Sequence, residues 1–215
     1  MKFEKTDVWG FEHAIRGMRN PLNSWDKSDS YFCEKDPDVY YLGKADLDLA
    51  QRLIKGGSEH RKFMRQIMVS VDITAPLYWF KEFDTYKIGT TANSTSTMHK
   101  LSSSEITMDC IETDDMKGLS DPEDDKWLKY FTETFIASCE YLRERYLETK
   151  DIRYWKELVR FLPEGWLQTR TVTLNYENLR NMYFQRRGHK LTEWQTFRDW
   201  EMTLPYAKEL IAYEQ

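Results

Sequence analysis

The clearest alternation of apolar and polar positions runs from Arg65 to Thr74, where Ile67, Val69, Val71 and Ile73 are apolar and Gln66, Ser70 and Asp72 are polar. A period of two predicts a half-buried antiparallel strand, and Ala75-Pro76 ends it. Met68 falls on the polar side, which implies that the outer face is partly covered. Trp166 to Leu174, Thr-rich and β-branched, predicts a second strand. Elsewhere the period is helical. Ala45 to Lys55 carries Leu47, Leu49, Ala50, Leu53 and Ile54 at helical spacing, and Gly56-Gly57 stops it. Asp121-Pro122-Glu123 opens the longest helix, reaching to about Thr149, on which Trp127, Phe131, Thr134, Phe135, Cys139, Leu142 and Tyr146 form a stripe expected to be core. Ile152 to Phe161 follows as a shorter helix, halted at Pro163. Asn175 is expected to cap a helix on which Leu179, Met182, Tyr183 and Arg186 share one face, with Gly188 closing it. Lys190–Leu204 and Tyr206–Tyr213 predict the last helices. The first 44 residues read as a mixed segment, with turns over Met18-Arg19-Asn20-Pro21 and Asn23-Ser24-Trp25-Asp26 and with Trp25 anchoring a loop on the core. With no internal repeat, these elements predict one α+β domain over residues 1–215, a small, mainly antiparallel sheet flanked by long helices.

The stretch from Ala75 to Leu101 concentrates chemistry. Aromatic residues at a helix start (Tyr78, Trp79, Phe80, Phe83) give way to Lys81, Glu82, Asp84 and Lys87. Hydroxyl residues then follow Thr85: Thr90, Thr91, Ser94, Thr95, Ser96 and Thr97, with Gly89 and Asn93 among them. A loop so rich in hydroxyl and backbone N–H donors suits a phosphate or a nucleotide; the alternative is a solvated Ser/Thr surface loop. Arg186, on or near the apolar face of its helix, must be paired or bound. His60, just after a helix end, is either a hydrogen-bonded structural residue or a ligand contact.

Composition narrows the partners. The 215-residue chain carries a formal charge of −5, with 31% charged and 15% aromatic residues. An acidic chain does not wrap a nucleic-acid backbone, whereas a single nucleotide needs only a local basic pocket. Cys33, Cys110 and Cys139 are odd in number and share no close spacing, so neither a disulfide framework nor a zinc site is indicated, and a cytoplasmic location fits. No apolar run approaches the ~20 residues of a membrane span. The acidic run from Asp109 to Asp125 lacks the order of a calcium loop and reads as a solvated loop, so no metal is expected.

Read in order, these segments resemble the flavin-dependent thymidylate synthase family. Ala75-Pro76 falls on the family's Ala-Pro helix start, Thr85-Tyr86-Lys87 on its Arg-His-Arg, and Thr95 on the Ser that closes the same signature. Further along, Leu162-Pro163, Thr173, Asn175, Leu179, Asn181 and Arg186 match the family's C-terminal pattern in type and spacing. Thr85, Tyr86, Thr97 and Glu177 stand where the family has Arg, His, Arg and a flavin-side Arg, and Glu82 where it has a polar amide. Lys81, Lys100, Arg160, Arg180 and Arg187 are available to replace the lost charge.

The resemblance implies reductive methylation at C5 of dUMP, or a related C5 modification of a pyrimidine nucleotide, using methylenetetrahydrofolate, FAD and NADPH in a homotetramer. It implies that Arg186 is catalytic and meets the pyrimidine's carbonyl edge. Glu82, Asn93, Ser94, Thr95, Ser96 and Thr97 would bind the nucleotide, with Thr95 and neighbouring loop N–H groups on its 5′-phosphate. His60, Thr85, Tyr86, Lys87, Asn175 and Asn181 would bind the flavin. Two other readings stand beside it: a non-catalytic nucleotide-binding module of the same fold, and an oligomeric interaction protein whose aromatic helices serve assembly.

Overall fold

The computed structural model describes residues 1–37, 39–96, 101–113 and 121–214. Thr97, Lys100 and residues 114–120 of the acidic run lie outside them. The protein is α+β, with a small antiparallel sheet and several helices. In chain order the strands are β1 (Lys2–Trp9), β2 (Tyr31–Phe32), β3 (Tyr40–Tyr41), β4 (Met68–Pro76), β5 (Thr91–Ser94) and β6 (Leu167–Asn175). The helices are α1 (Phe11–Arg19), α2 (Lys44–Lys55), α3 (Leu77–Phe83), α4 (Pro122–Thr149), α5 (Ile152–Arg160), α6 (Tyr176–Gln185), α7 (Thr192–Glu201) and α8 (Ala207–Leu210). The four-stranded sheet has the order β1-β4-β6-β5, and β2 pairs antiparallel with β3.

Two compact units make up the chain. One comprises Met1–Ile73, Thr85–Ala92 and Thr171–Gln215; the other comprises Thr74–Asp84 and Asn93–Arg170. In the first, β4 buries Val69, Val71 and Ile73 and leaves Met68, Ser70 and Asp72 half-buried, as the period-two pattern requires. The strand begins at Met68, because Arg61–Gln66 forms a 3-10 helix, three residues later than alternation alone implies.

Both β1 and α1 are absent from the reading of the first 44 residues as mixed. Phe11, Ala14, Ile15 and Met18 are buried at helical spacing, but Gly10 and the Gly17 inside the run mask the signal. Gly10 is needed at its position. Its φ is +92°, and a Cβ there would sit 2.2 Å from the Gln66 carbonyl oxygen. β1 meets α7 through Phe3 stacked on Trp200 at 4.9 Å and through the Trp200 indole N–H, which donates to Thr6 Oγ1 at 3.2 Å. The loop between α1 and α2 is tied to Asp46, which is fully buried. This carboxylate accepts bonds from Arg19 Nε (2.5 Å), from the Ser28 and Ser30 hydroxyls (both 2.7 Å) and from the backbone N–H groups of Asp29 and Ser30 (both 3.1 Å). Burial raises its pKa, the bonds from Ser30, Ser28 and Arg19 outweigh that, and the group ionises below the ordinary range.

In the second unit the core gathers Leu101, Ile106, Ile136, Cys139 and Leu158, with Trp166, Phe135 and Leu142 packed on it. The start of α4 is set by Asp121, whose side chain accepts from Glu123 N, and by Pro122; its end is Lys150 in the left-handed region. The stripe expected to be core is so only in part: Cys139 is buried and Phe135, Leu142 and Tyr146 are half-buried, whereas Trp127 is 62% and Phe131 53% exposed. Trp127 and Phe131 stack on one another at 5.5 Å, so the aromatic column shields itself along the helix.

One buried acid in the first unit has no use in the packing. Glu201 is fully buried, and neither carboxyl oxygen has a hydrogen-bond partner among the described residues. Burial holds its pKa well above the usual carboxylate range despite the nearby Arg198 charge. A folded-state pKa above the unfolded one means that the stability gained from the protonated form is present at acid pH and is lost as pH rises past about 4.3. Glu201→Met is therefore expected to stabilise the protein by about 1–3 kcal/mol at neutral pH, and by less at pH 4. Urea unfolding at both pH values checks this, and an effect independent of pH would contradict it.

Candidate functional site

The first unit carries a constellation built on α6. Asn175, 7% exposed, caps this helix: its side chain accepts from Asn178 N at 3.0 Å, and Asn178 Oδ1 accepts from Asn175 N at 3.3 Å. Asn178 Nδ2 also donates to the Ile88 carbonyl at 2.7 Å. The 85–90 segment is thereby held against the start of α6. Gly89, at φ +75°, allows the approach, since a Cβ there would lie 2.9 Å from Asn175 Nδ2. The side-chain oxygen of Asn175, a residue that the resemblance gives to the flavin, is thus engaged with backbone.

At the other end of α6, Thr85, Tyr86, Asn181, Gln185 and Arg186 line a cavity of about 450 Å³. Four of the five are residues that the resemblance assigns to the flavin or the nucleotide. The Arg186 side chain has structural partners, as its place near an apolar face required. Its Nε donates to the Tyr86 hydroxyl at 2.9 Å, and that hydroxyl donates to Gln185 Oε1 at 3.0 Å. The guanidinium also lies 4.6 Å from the centre of the buried Trp194 ring and 5.3 Å from that of Tyr86. Two rings and a hydroxyl fix its orientation. Lys87 is exposed and does not line this cavity.

His60 precedes the Arg61–Gln66 turn, exposed, on the wall of a separate cavity of about 740 Å³ that Lys27, Arg52, Lys62, Leu49 and Phe63 also line. The turn presents Arg61 and Arg65 elsewhere. Arg61 Nε donates to Glu177 Oε1 at 3.1 Å, Arg65 Nε donates to Glu177 Oε2, and Arg61 Nη2 donates to Asn181 Oδ1 at 3.4 Å. The Glu177 side chain is 9% exposed. Burial raises its pKa, but the bonds from Arg65 and Arg61 overcome this and leave it below the ordinary carboxylate value.

Neither arginine is among the five basic residues that the sequence offers above in place of the lost charge. Of those five, Lys81 pairs with Glu164 at 2.6 Å, and Arg160 and Arg187 pair with Glu157 and Glu214. Arg180 donates to the Ile211 and Tyr213 carbonyls, both at 2.8 Å. The signal that could have found Arg61 and Arg65 was their i, i+4 spacing beside an acidic residue at 177, where the resemblance has a cation.

The hydroxyl run belongs to the second unit from Asn93 onward. It is not simply a loop, since Thr91–Ser94 is strand β5. The Thr95 N–H donates to the Thr169 carbonyl at 2.9 Å, and the Thr95 carbonyl accepts from Gln168 Nε2 at 2.9 Å. That N–H is therefore spent on backbone and is not a free phosphate donor. Asn93, Ser94 and Thr95 are exposed, and Ser96 and Glu82 are half-buried. In the same unit Arg170 ties Gln168 (2.9 Å) to Asp84 (2.8 Å) and lies 3.9 Å from the centre of the Phe80 ring. No helix among the described residues is long and apolar enough to cross a membrane.

No family model matches this sequence, and no curated protein is similar to it in sequence. Its structure is similar to that of solved proteins. A crystal structure of flavin dependent thymidylate synthase ThyX from Helicobacter pylori, complexed with FAD and dUMP, superposes with a TM-score of 0.67 at 17% identity, covering 98% of each chain. A second crystal structure of the enzyme from that organism with FAD and dUMP gives 0.64 at 16% identity, over 95% of this chain and 94% of that one. What the chains share at these identities is the fold, along nearly their whole length.

The Glu177 geometry has a pH consequence. A carboxylate whose folded pKa is depressed contributes stability that is present above its unfolded pKa, about 4.3, and is lost as pH falls through the folded value. Glu177→Gln is expected to be less stable than the wild type at pH 7, with the difference shrinking as pH falls below about 4.3. Denaturant midpoints across that range check this; a gap constant with pH would mean that the arginines do not stabilise the ionised form.

Proposed function

We propose that this chain is a divergent enzyme of the flavin-dependent thymidylate synthase type, which methylates C5 of dUMP reductively to give dTMP. The observation that carries the reading is the Arg186 guanidinium, oriented by Tyr86 and Trp194 at a cavity also lined by Asn181, in a fold shared with structures that hold FAD and dUMP. The residues present suit such ligands. Around Glu177 and Asn181 the guanidinium groups outnumber the carboxylates, which favours an anion. Amide and hydroxyl groups from Asn181, Gln185 and Tyr86 stand beside them.

Reduced FAD, when bound, supplies a hydride, methylenetetrahydrofolate the one-carbon unit and NADPH the reducing equivalents. The task of Arg186 is to pair with the carbonyl edge of the pyrimidine and to stabilise negative charge that develops there as C5 becomes nucleophilic. Tyr86 keeps the guanidinium in register through its hydroxyl, which accepts from Arg186 Nε and donates to Gln185. Assembly into a homotetramer in the cytoplasm belongs to the same proposal. The exposed Trp127, Tyr130, Phe131 and Tyr141 on α4 support it, since aromatic surface of this kind favours burial against another chain. A non-catalytic nucleotide-binding module is favoured by one observation, the neutral Thr85 and Tyr86 in place of two basic residues.

Two measurements decide between these. Purified protein is expected to be yellow, with the absorbance bands of a bound flavin, and to bind dUMP by calorimetry. Arg186→Ala should weaken dUMP binding by about 2–4 kcal/mol with folding nearly intact, and Arg186→Lys should restore little, because an ammonium lacks the fork geometry. Nucleotide binding without flavin would favour the non-catalytic module. Equal dUMP binding by all three proteins would remove Arg186 from the site.

A further inference from the structure

We infer that Arg61 and Arg65, set in place by Glu177, form a clamp for the phosphate of a nucleotide or of a flavin dinucleotide; the inference rests on the nucleotide reading above. A carboxylate needs only one guanidinium to satisfy both of its oxygens, because a single arginine fork spans them. Glu177 instead divides its oxygens between two arginines, and each is engaged through Nε. Contact through Nε leaves the outer edge of a guanidinium to other partners. Arg61 uses part of that edge on Asn181, a wall of the Arg186 cavity. The terminal nitrogens of Arg65, a side chain 51% exposed, have no partner among the described residues.

Charge points the same way. Arg180 is close enough to Arg61 that, after burial, the Arg61 charge is the next cause depressing its ionisation. Arg187 adds a fourth guanidinium, paired with Glu214. Among the described residues, the carboxylates that pair with or act on these four are Glu177 and Glu214, so the cluster keeps two positive charges in excess. A stabilising ion pair would require no second arginine on Glu177, whereas an anion site gains from one. The fork geometry of arginine suits the two or three oxygens of a phosphate. Glu177 is then a positioning residue: it stands where the resemblance has a flavin-side cation, and it supplies that cation indirectly, by aiming two others.

Binding of inorganic diphosphate, dUMP, FAD and riboflavin to the intact protein tests this, measured by calorimetry and flavin fluorescence. Arg65→Ala and Arg61→Ala are expected to weaken diphosphate, and at least one of dUMP and FAD, by about ten- to a hundred-fold. The ligand that loses most identifies the source of the phosphate. Riboflavin, which carries no phosphate, should bind the variants as it binds the wild type. Arg153→Ala, which removes an exposed cation paired only with Asp151, should change nothing. Arg65→Lys keeps the charge and the fold without the fork, and should recover only a small part of the loss. If the wild type binds dUMP or FAD and Arg65→Ala binds them and diphosphate equally well, the clamp is wrong and the nucleotide reading stands. Diphosphate binding that depends on Arg65, without binding of dUMP or FAD, would keep the clamp and sink that reading. A wild type that binds none of the three phosphorylated probes overturns both.

Discussion

Asn175 and Asn178 exchange bonds with each other's backbone at the start of α6, and this reciprocal cap decides where the candidate site can be. A helix that begins at Tyr176 brings Glu177 round to meet Arg61 and Arg65, places Asn181 one turn further on, and ends with Gln185 and Arg186 at the cavity wall. The cap reaches beyond its own helix. Through Asn178 Nδ2 and the Ile88 carbonyl it anchors the segment that carries Thr85 and Tyr86, so both walls of the cavity take their position from one pair of asparagines. Had α6 started a residue later, every side chain on it would turn by about 100° and the wall would be lost.

Buried charge shows how differently the same chemical group can be used within one unit. Asp46 collects five donors, fixes the loop before α2 and leaves nothing over for a ligand. Glu177 collects two guanidinium groups and leaves charge in excess. Glu201 collects none among the described residues, and burial pushes its pKa well above the usual carboxylate range. Desolvation acts on all three, and what differs is the number of donors that the surrounding backbone aims at them. Saturation marks a structural role at Asp46, whereas surplus charge at Glu177 marks a place where a ligand would complete the balance.

The periodic parts of the fold were legible in the sequence. The strand through Val69, Val71 and Ile73, the second strand ending at Asn175, the capped helix after it and the long helix from Pro122 follow from spacing and caps, because burial on one face leaves an imprint that needs no tertiary knowledge. What was not legible depended on distant partners. Gly10 and Gly17 hid α1, and the reason for Gly10 is a carbonyl at Gln66, far along the chain. Thr91–Ser94 read as a loop, since three polar residues around a lone Ala92 show no apolar period; as a strand it is β5, next to β6 in the sheet order, and that backbone pairing leaves no mark on side-chain spacing. The aromatics of α4 read as core, because spacing reports that residues share a face and is silent on what that face meets. Arg186, Tyr86, Asn181 and Thr85, which the resemblance names, line one cavity, while the sequence did not single out Arg61 and Arg65, because their partner is a carboxylate more than a hundred positions away.

Thr85 and Tyr86 stand where the resemblance has two basic residues and carry no charge, yet Arg186 is held in place. Tyr86 accepts from Arg186 Nε, donates to Gln185 and offers its ring to the guanidinium, three contacts from one neutral side chain. Orientation and charge, which a basic residue supplies together, are here separated. Tyr86 and Trp194 give the orientation; in the clamp proposed above, Arg61 and Arg65 would give the charge, from a different element. An electrostatic field sums over all the groups near a ligand and is indifferent to which strand or helix each comes from, so long as the distances are similar. A signature read one position at a time therefore misses cations that another element brings close, as Arg61 is brought to Asn181 on the cavity wall.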